Sequence, residues 1–156
     1  MHFLLILAFL TMAAMPPQRP ESLLVRSVID GNTIDVATIG RVRLLGIDAP
    51  TLRRGFDRAA PLALESRDKL ASLVLNHWVR LEHDPRQLDP SARASAYVLR
   101  EDGLFVNAAL VREGLARVST RLPLTRLPEL RRAEREAQSF RRGLWRYTAK
   151  NGIDPG

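Results

Sequence analysis

The feature that most constrains this chain is a rapid succession of short aliphatic runs near its start: Leu23–Ile29, Thr33–Ala37 and Arg41–Ile47. They are separated by Asp30-Gly31-Asn32 and by Ile39-Gly40, turn residues that tolerate positive φ. This spacing predicts a three-stranded meander. Its third run, within RLLGIDAPT at residues 43–51, delivers a single carboxylate, Asp48, and stops at once on Pro50, with Arg41 and Arg43 on alternate positions behind it.

From Pro61 the period changes. Ala63, Leu70, Leu73 and Val74 share one helical face, and Pro61 suits a first turn, so a helix is expected to about Leu75. Val79 and Leu81 alternate with Arg80 and Glu82 as a fourth strand. Ala94, Ala96 and Val98 alternate with Ser95, Tyr97 and Leu99 as a fifth, closed by a turn at Glu101-Asp102-Gly103. Asn107 reads as the cap of a short helix ending at Gly114. A last helix opens at Pro128, with Leu130, Ala133, Ala137, Phe140 and Leu144 as its core stripe and Trp145 sealing its end. Five short strands, one helix after the third and others trailing, predict an α+β, mainly β chain: a five-stranded oligonucleotide-binding-type barrel with three helices.

A length of 156 residues suits one domain. The net charge of +7 favours an anionic partner, nucleic acid or a membrane surface. Residues 112–146 carry ten arginines against four glutamates, which fits a solvated basic helix as well as a binding face. The absence of cysteine excludes disulfides, a thiolate nucleophile and sulfur-ligated metal.

The apolar run at residues 1–15 is short for a bilayer span, which wants about 20 residues. It reads as a signal peptide with Ala13 and Ala14 near the cleavage site, although only His2 stands where a positive leading segment belongs. The chain is then exported, periplasmic or secreted; an uncleaved leader would anchor it to a membrane. Residues 16–21 form a proline-rich linker, 22–147 the domain and 148–156 a flexible tail. A monomer is expected, with no membrane span beyond the leader.

Four ordered blocks carry the chemistry: VIDGNTIDV at 28–36, VRLLGIDAP at 42–50, ARASAYV at 92–98 and LFVNAALVREGLARV at 104–118, followed by RRGLW at 141–145. In this order and spacing the chain resembles the staphylococcal nuclease, or thermonuclease, family over about residues 23–146. The resemblance implies phosphodiester hydrolysis on DNA or RNA with a bound calcium ion, a carboxylate that activates water, and two arginines on the phosphate. Each requirement has a physical basis. Calcium is a hard ion that wants oxygen ligands, attacking water must lose a proton, and a guanidinium fork binds the developing charge. By resemblance Arg43 and Arg93 hold phosphate, Asp48 and the backbone carbonyl of Ala49 ligate calcium, and Asp30 lies in its outer shell.

Two departures stand out. Asn32 occupies the place of a second metal-binding acid and brings an amide oxygen without charge, so calcium affinity is expected to fall. Thr51 occupies the place of the family's general-base glutamate, and a hydroxyl cannot take up a proton at neutral pH. Losing a positioned base removes roughly 10²–10⁴-fold in rate. Nothing in the spacing puts Asp57 or Glu65 in its stead. The family's base-stacking tyrosines are replaced by Ser91, Thr120 and Leu122. His77 and His83 lack partners at metal-ligand spacing, and no serine sits in a nucleophile elbow.

Three readings follow: a degenerate nuclease-like domain that binds nucleic-acid phosphates with weak or absent hydrolysis, an active calcium-dependent nuclease, and a secreted non-catalytic interaction scaffold.

Overall fold

The structure, a computed structural model, describes residues 22–52, 60–86, 95–119 and 123–146. The expected leader, linker and tail fall outside these residues, as do Asp57, Ser91, Arg93, Thr120 and Leu122.

The meander forms as expected: β1 (Leu23–Asp30), β2 (Thr33–Val36) and β3 (Gly40–Leu44) pair in antiparallel order. β1 carries two register shifts, between Val25 and Ser27 and between Val28 and Asp30. Such bulges bend a strand and increase its twist, which lets so few strands close. β5 (Trp78–Glu82) and β6 (Ser95–Arg100) pair with each other; β6 lies parallel to β3 and β5 returns to β1, closing a five-stranded barrel in the order β1-β2-β3-β6-β5.

Period-2 alternation turns Val25, Ile34, Val36, Val42, Leu44, Val79 and Val98 into the barrel, each at most 4% exposed. Burial of each such side chain stabilises by about 1.5–3 kcal/mol. Helix α1 (Ala63–Val74) closes one end with Leu70 and Val74, and α2 (Val106–Arg112) adds Val106 and Leu110.

The third strand is shorter than the sequence suggested. It stops at Leu44, and Gly46, at φ +79°, turns the chain away from the barrel. A Cβ there would meet Leu130 and Leu124 at 2.7 and 2.8 Å, so only glycine allows this corner. Ile47–Asp48 becomes a separate strand, β4, paired with β7 (Arg117–Val118) in a two-stranded sheet.

β6 also departs from simple alternation. Ala96, Tyr97, Val98 and Leu99 are all buried, because Tyr97 and Leu99 pack outward with Leu45 and Leu124 in a second cluster. This cluster is fastened by Asp84, 3% exposed, which accepts hydrogen bonds from the Tyr97 hydroxyl at 2.5 Å, the Thr125 amide at 2.6 Å, the Thr125 hydroxyl at 2.7 Å and the Arg86 amide at 2.8 Å. Burial alone would raise the Asp84 carboxyl, but these donors outweigh it and hold it down to about 2. Burial and the bond to Asp84 push Tyr97 up to about 12.

Two other expectations need correction. Asn107 does not cap α2; Phe105 does, and Asn107 lies inside the helix, fully buried. Its amide accepts from the Val98 N–H and donates to the Leu45 carbonyl, both at 2.9 Å, tying α2 to β6 and to the chain beyond β3. Phe140 is not core. Helix α3 (Leu127–Ser139) buries Leu130, Ala133 and Ala137, then ends; Phe140 is its C-terminal cap residue and lies 67% exposed. The apolar period runs past the point where the helix stops. Trp145 is half-buried, with the Arg117 guanidinium 5.3 Å from its ring centre.

Candidate active site

The β1–β2 turn and the β4 corner are stitched together. The Leu44 N–H donates to the Asn32 carbonyl at 2.7 Å, and Asn32 Nδ2 donates to the Ile47 carbonyl at 3.1 Å. Within the turn, Asp30 Oδ1 accepts the Asn32 N–H at 3.0 Å. Gly31 makes the approach possible: a Cβ on it would lie 2.7 Å from Ala49 Cβ and would overlap the Ser66 side chain. Asp30, Asn32, Asp48 and Ala49 therefore share one corner of the barrel.

Arg43 reaches the same corner from β3. Its Nη2 lies 2.6 Å from Asp48 Oδ1, with both side chains open to solvent. Arg43 is the register partner of Thr33 on β2 and of Ser95 on β6. Arg93, two residues before Ser95, lies outside the described residues.

Thr51 is exposed, and its carbonyl accepts the Ala60 N–H at 3.0 Å. That bond pinches the chain just past the corner. Glu65 is exposed on the first turn of α1, and its carboxylate has no hydrogen-bond partner among the described residues. Sequence reasoning missed Ser66, which is fully buried on the face shared with Ala63, Leu70 and Val74 and donates to the Leu115 carbonyl at 2.8 Å. It forms the floor under Gly31. The available signal was a small polar residue four before Leu70 on a core stripe.

The candidate donor side chains at the corner present oxygens, the Asp48 carboxylate and the Asn32 amide, with Asp30 beside them. Their type fits a hard divalent ion such as calcium, whereas their charge is low. Among the described residues no three His, Cys, Asp or Glu side chains gather as a metal group. The Asn32 amide is also oriented, because only its nitrogen can face the Ile47 carbonyl.

A family model described as "Staphylococcal nuclease homologue" matches residues 41–147. The chain belongs to the staphylococcal nuclease family. It is 36% identical over 131 residues to a thermonuclease of Staphylococcus intermedius, covering 81% of this chain and 77% of that protein. It is 33% identical over 122 residues to a thermonuclease of Staphylococcus hyicus, covering 76% and 72%. It is also similar to the SPbeta prophage-derived endonuclease YokF of Bacillus subtilis (strain 168), 33% identical over 130 residues, which cover 80% of this chain and 43% of that one. The family's closed barrel with surrounding helices is the architecture seen here. Among the described residues, no helix is long and apolar enough to cross a membrane.

Proposed function

We propose that this domain engages the phosphodiester backbone of DNA or RNA at the barrel mouth and hydrolyses it weakly or not at all. One observation carries this reading: Arg43 and Asp48 stand together at the corner, while Thr51 offers only a hydroxyl and no described carboxylate takes the place of a base.

Arg43 supplies a planar cationic fork for a non-bridging phosphate oxygen, and Asp48 holds that fork toward the corner. Asp48, the Asn32 amide and the Ala49 carbonyl would hold a calcium ion. When bound, such an ion would neutralise charge on the phosphate as a Lewis acid. Thr51 can hydrogen-bond a water molecule and orient it, but cannot take its proton. The proton has no acceptor at this position, so the barrier stays high. The apolar run at residues 1–15 supports export of the domain or its attachment to a membrane.

An active calcium-dependent nuclease is the second reading, favoured by relatives that are themselves named thermonucleases and an endonuclease. Incubating a labelled oligonucleotide with the protein in calcium or chelator separates the two. Retention of intact strands, with affinity falling steeply as salt rises, supports binding without turnover. Calcium-dependent fragments support the enzyme, and neither retention nor cleavage leaves an interaction scaffold.

A further inference from the structure

The last helix carries the densest charge in the chain, and its ion pairs sort that charge by direction. Each of its three glutamates is taken up by an arginine. Glu129 meets Arg126 at 3.0 Å, Glu134 meets Arg131 at 3.5 Å, and Glu136 meets both Arg112 at 3.1 Å and Arg142 at 3.0 Å. Glu134 also accepts the Val118 N–H at 2.8 Å, so it is committed to the fold.

Arg132 and Arg135 lie on the side of α3 opposite the buried stripe of Leu130, Ala133 and Ala137. Both are exposed, as are Arg141 and Arg146 beyond the helix end, and none of the four has a carboxylate partner among the described residues. The helix thus turns a surface to solvent whose acids are all neutralised from within and whose free charge is entirely positive.

Phe140 stands in the same stretch. It is 67% exposed, and its ring carries the Arg142 guanidinium 4.8 Å from the centre. Arg142 covers part of the ring, but leaving most of a phenyl ring in water gains the fold nothing. An exposed aromatic ring in the same stretch of chain as arginines without carboxylate partners matches the chemistry of a single nucleic-acid strand, with phosphates on the guanidiniums and a base on the ring's open side. An anionic lipid surface would satisfy the arginines but offers nothing planar to stack on Phe140.

The geometry points to a second nucleic-acid contact on this helix: Arg132, Arg135 and Arg141 hold the phosphates of a single strand, and Phe140 stacks one base. This inference rests on the reading that the domain takes nucleic acid, and it supplies stacking and charge apart from the barrel mouth.

The test uses the intact protein and fluorescent oligothymidylate, with affinity measured across a salt series. Replacing Arg132, Arg135 and Arg141 together by Gln should flatten the slope of log affinity against log salt by about 2, since each single-strand phosphate contact contributes about 0.7. Phe140→Leu should weaken binding by about tenfold with the slope unchanged. All four side chains are exposed, so both variants should melt at the parent's temperature. An unchanged slope in the triple variant, with Arg43→Ala still weakening binding, overturns the helix site and leaves the barrel-mouth reading standing. No binding by the parent overturns both. Tighter binding to anionic phospholipid vesicles than to the oligonucleotide, lost in the triple variant, assigns the surface to lipid and also overturns the inference.

Discussion

The Arg43 guanidinium and the Asp48 carboxylate, on separate strands joined by the Gly46 turn, meet at 2.6 Å. Their side chains are 54% and 39% exposed, so the pair sits in water and its worth to the fold is small, about 1 kcal/mol or less. On the proposed reading its importance is positional, since it points the guanidinium that would hold phosphate and the carboxylate that would hold calcium at one spot.

Asp48→Ala should therefore move the urea-unfolding free energy by no more than about 1 kcal/mol. The same change should abolish any rise in melting temperature that calcium gives the parent, because an ion stabilises only through the state it binds. A urea titration reads the first effect, and differential scanning calorimetry with and without calcium reads the second.

Asn32→Asp should behave in the opposite sense when the ion is removed. The Asn32 amide donates to the Ile47 carbonyl, and an aspartate would set anionic oxygen against that carbonyl oxygen. In chelator the variant should lose about 1–3 kcal/mol, and calcium should restore most of it. Equal stability in chelator and calcium would show that residue 32 does not face the ion.

Asp84 sets an acid limit. Its carboxyl is held at about 2, below the 3.8 of the unfolded chain, so the unfolded state is the better proton acceptor and stability falls as pH drops through that range. The stabilisation is complete above about pH 4 and disappears as pH falls from 3.8 through 2, amounting to about 2 kcal/mol. Asp84→Asn should be less stable than the parent by about that amount at pH 7 and should converge with it near pH 2. Urea titrations at the two pH values decide it.

Asn107 and Phe140 make a paired test of burial. Asn107→Ala leaves the Val98 N–H and the Leu45 carbonyl unpartnered in the interior, a loss of about 2–4 kcal/mol. Phe140→Ser, at an exposed site, should stay within about 0.5 kcal/mol of the parent. Chemical denaturation of both variants measures the contrast.

These residues also mark what could be read in the sequence. The barrel strands and the helices around it were legible because period-2 and helical stripes coincide with real burial, as at Ile34, Val36, Val42 and Leu44 or at Leu130, Ala133 and Ala137. The motifs singled out Asp30, Asn32 and Asp48, and the contacts of the Asn32 amide and of Gly31 that bring their chain segments together leave no periodic signal in the sequence. Strands β4 and β7 were not, since two residues are too few to show a period, and only the turn at Gly46 separates Ile47 from the run before it. Asn107 looked like a cap because asparagine before an apolar helical run usually is one, whereas here tertiary hydrogen bonds claim its amide. The tie of Asp84 to Tyr97 and Thr125 joins residues far apart in the chain and leaves no local pattern to recognise.

The proposed loss of hydrolysis turns on Asn32 and Thr51, which by resemblance stand where the family has acids. Its most direct test is digestion of a labelled DNA strand in calcium by the parent and by the double variant Asn32→Asp, Thr51→Glu, each against a chelator control. The parent should leave the strand intact or nearly so, and the double variant should cut it at least about 100-fold faster, with the gain lost in chelator. Rapid calcium-dependent digestion by the parent itself would contradict it.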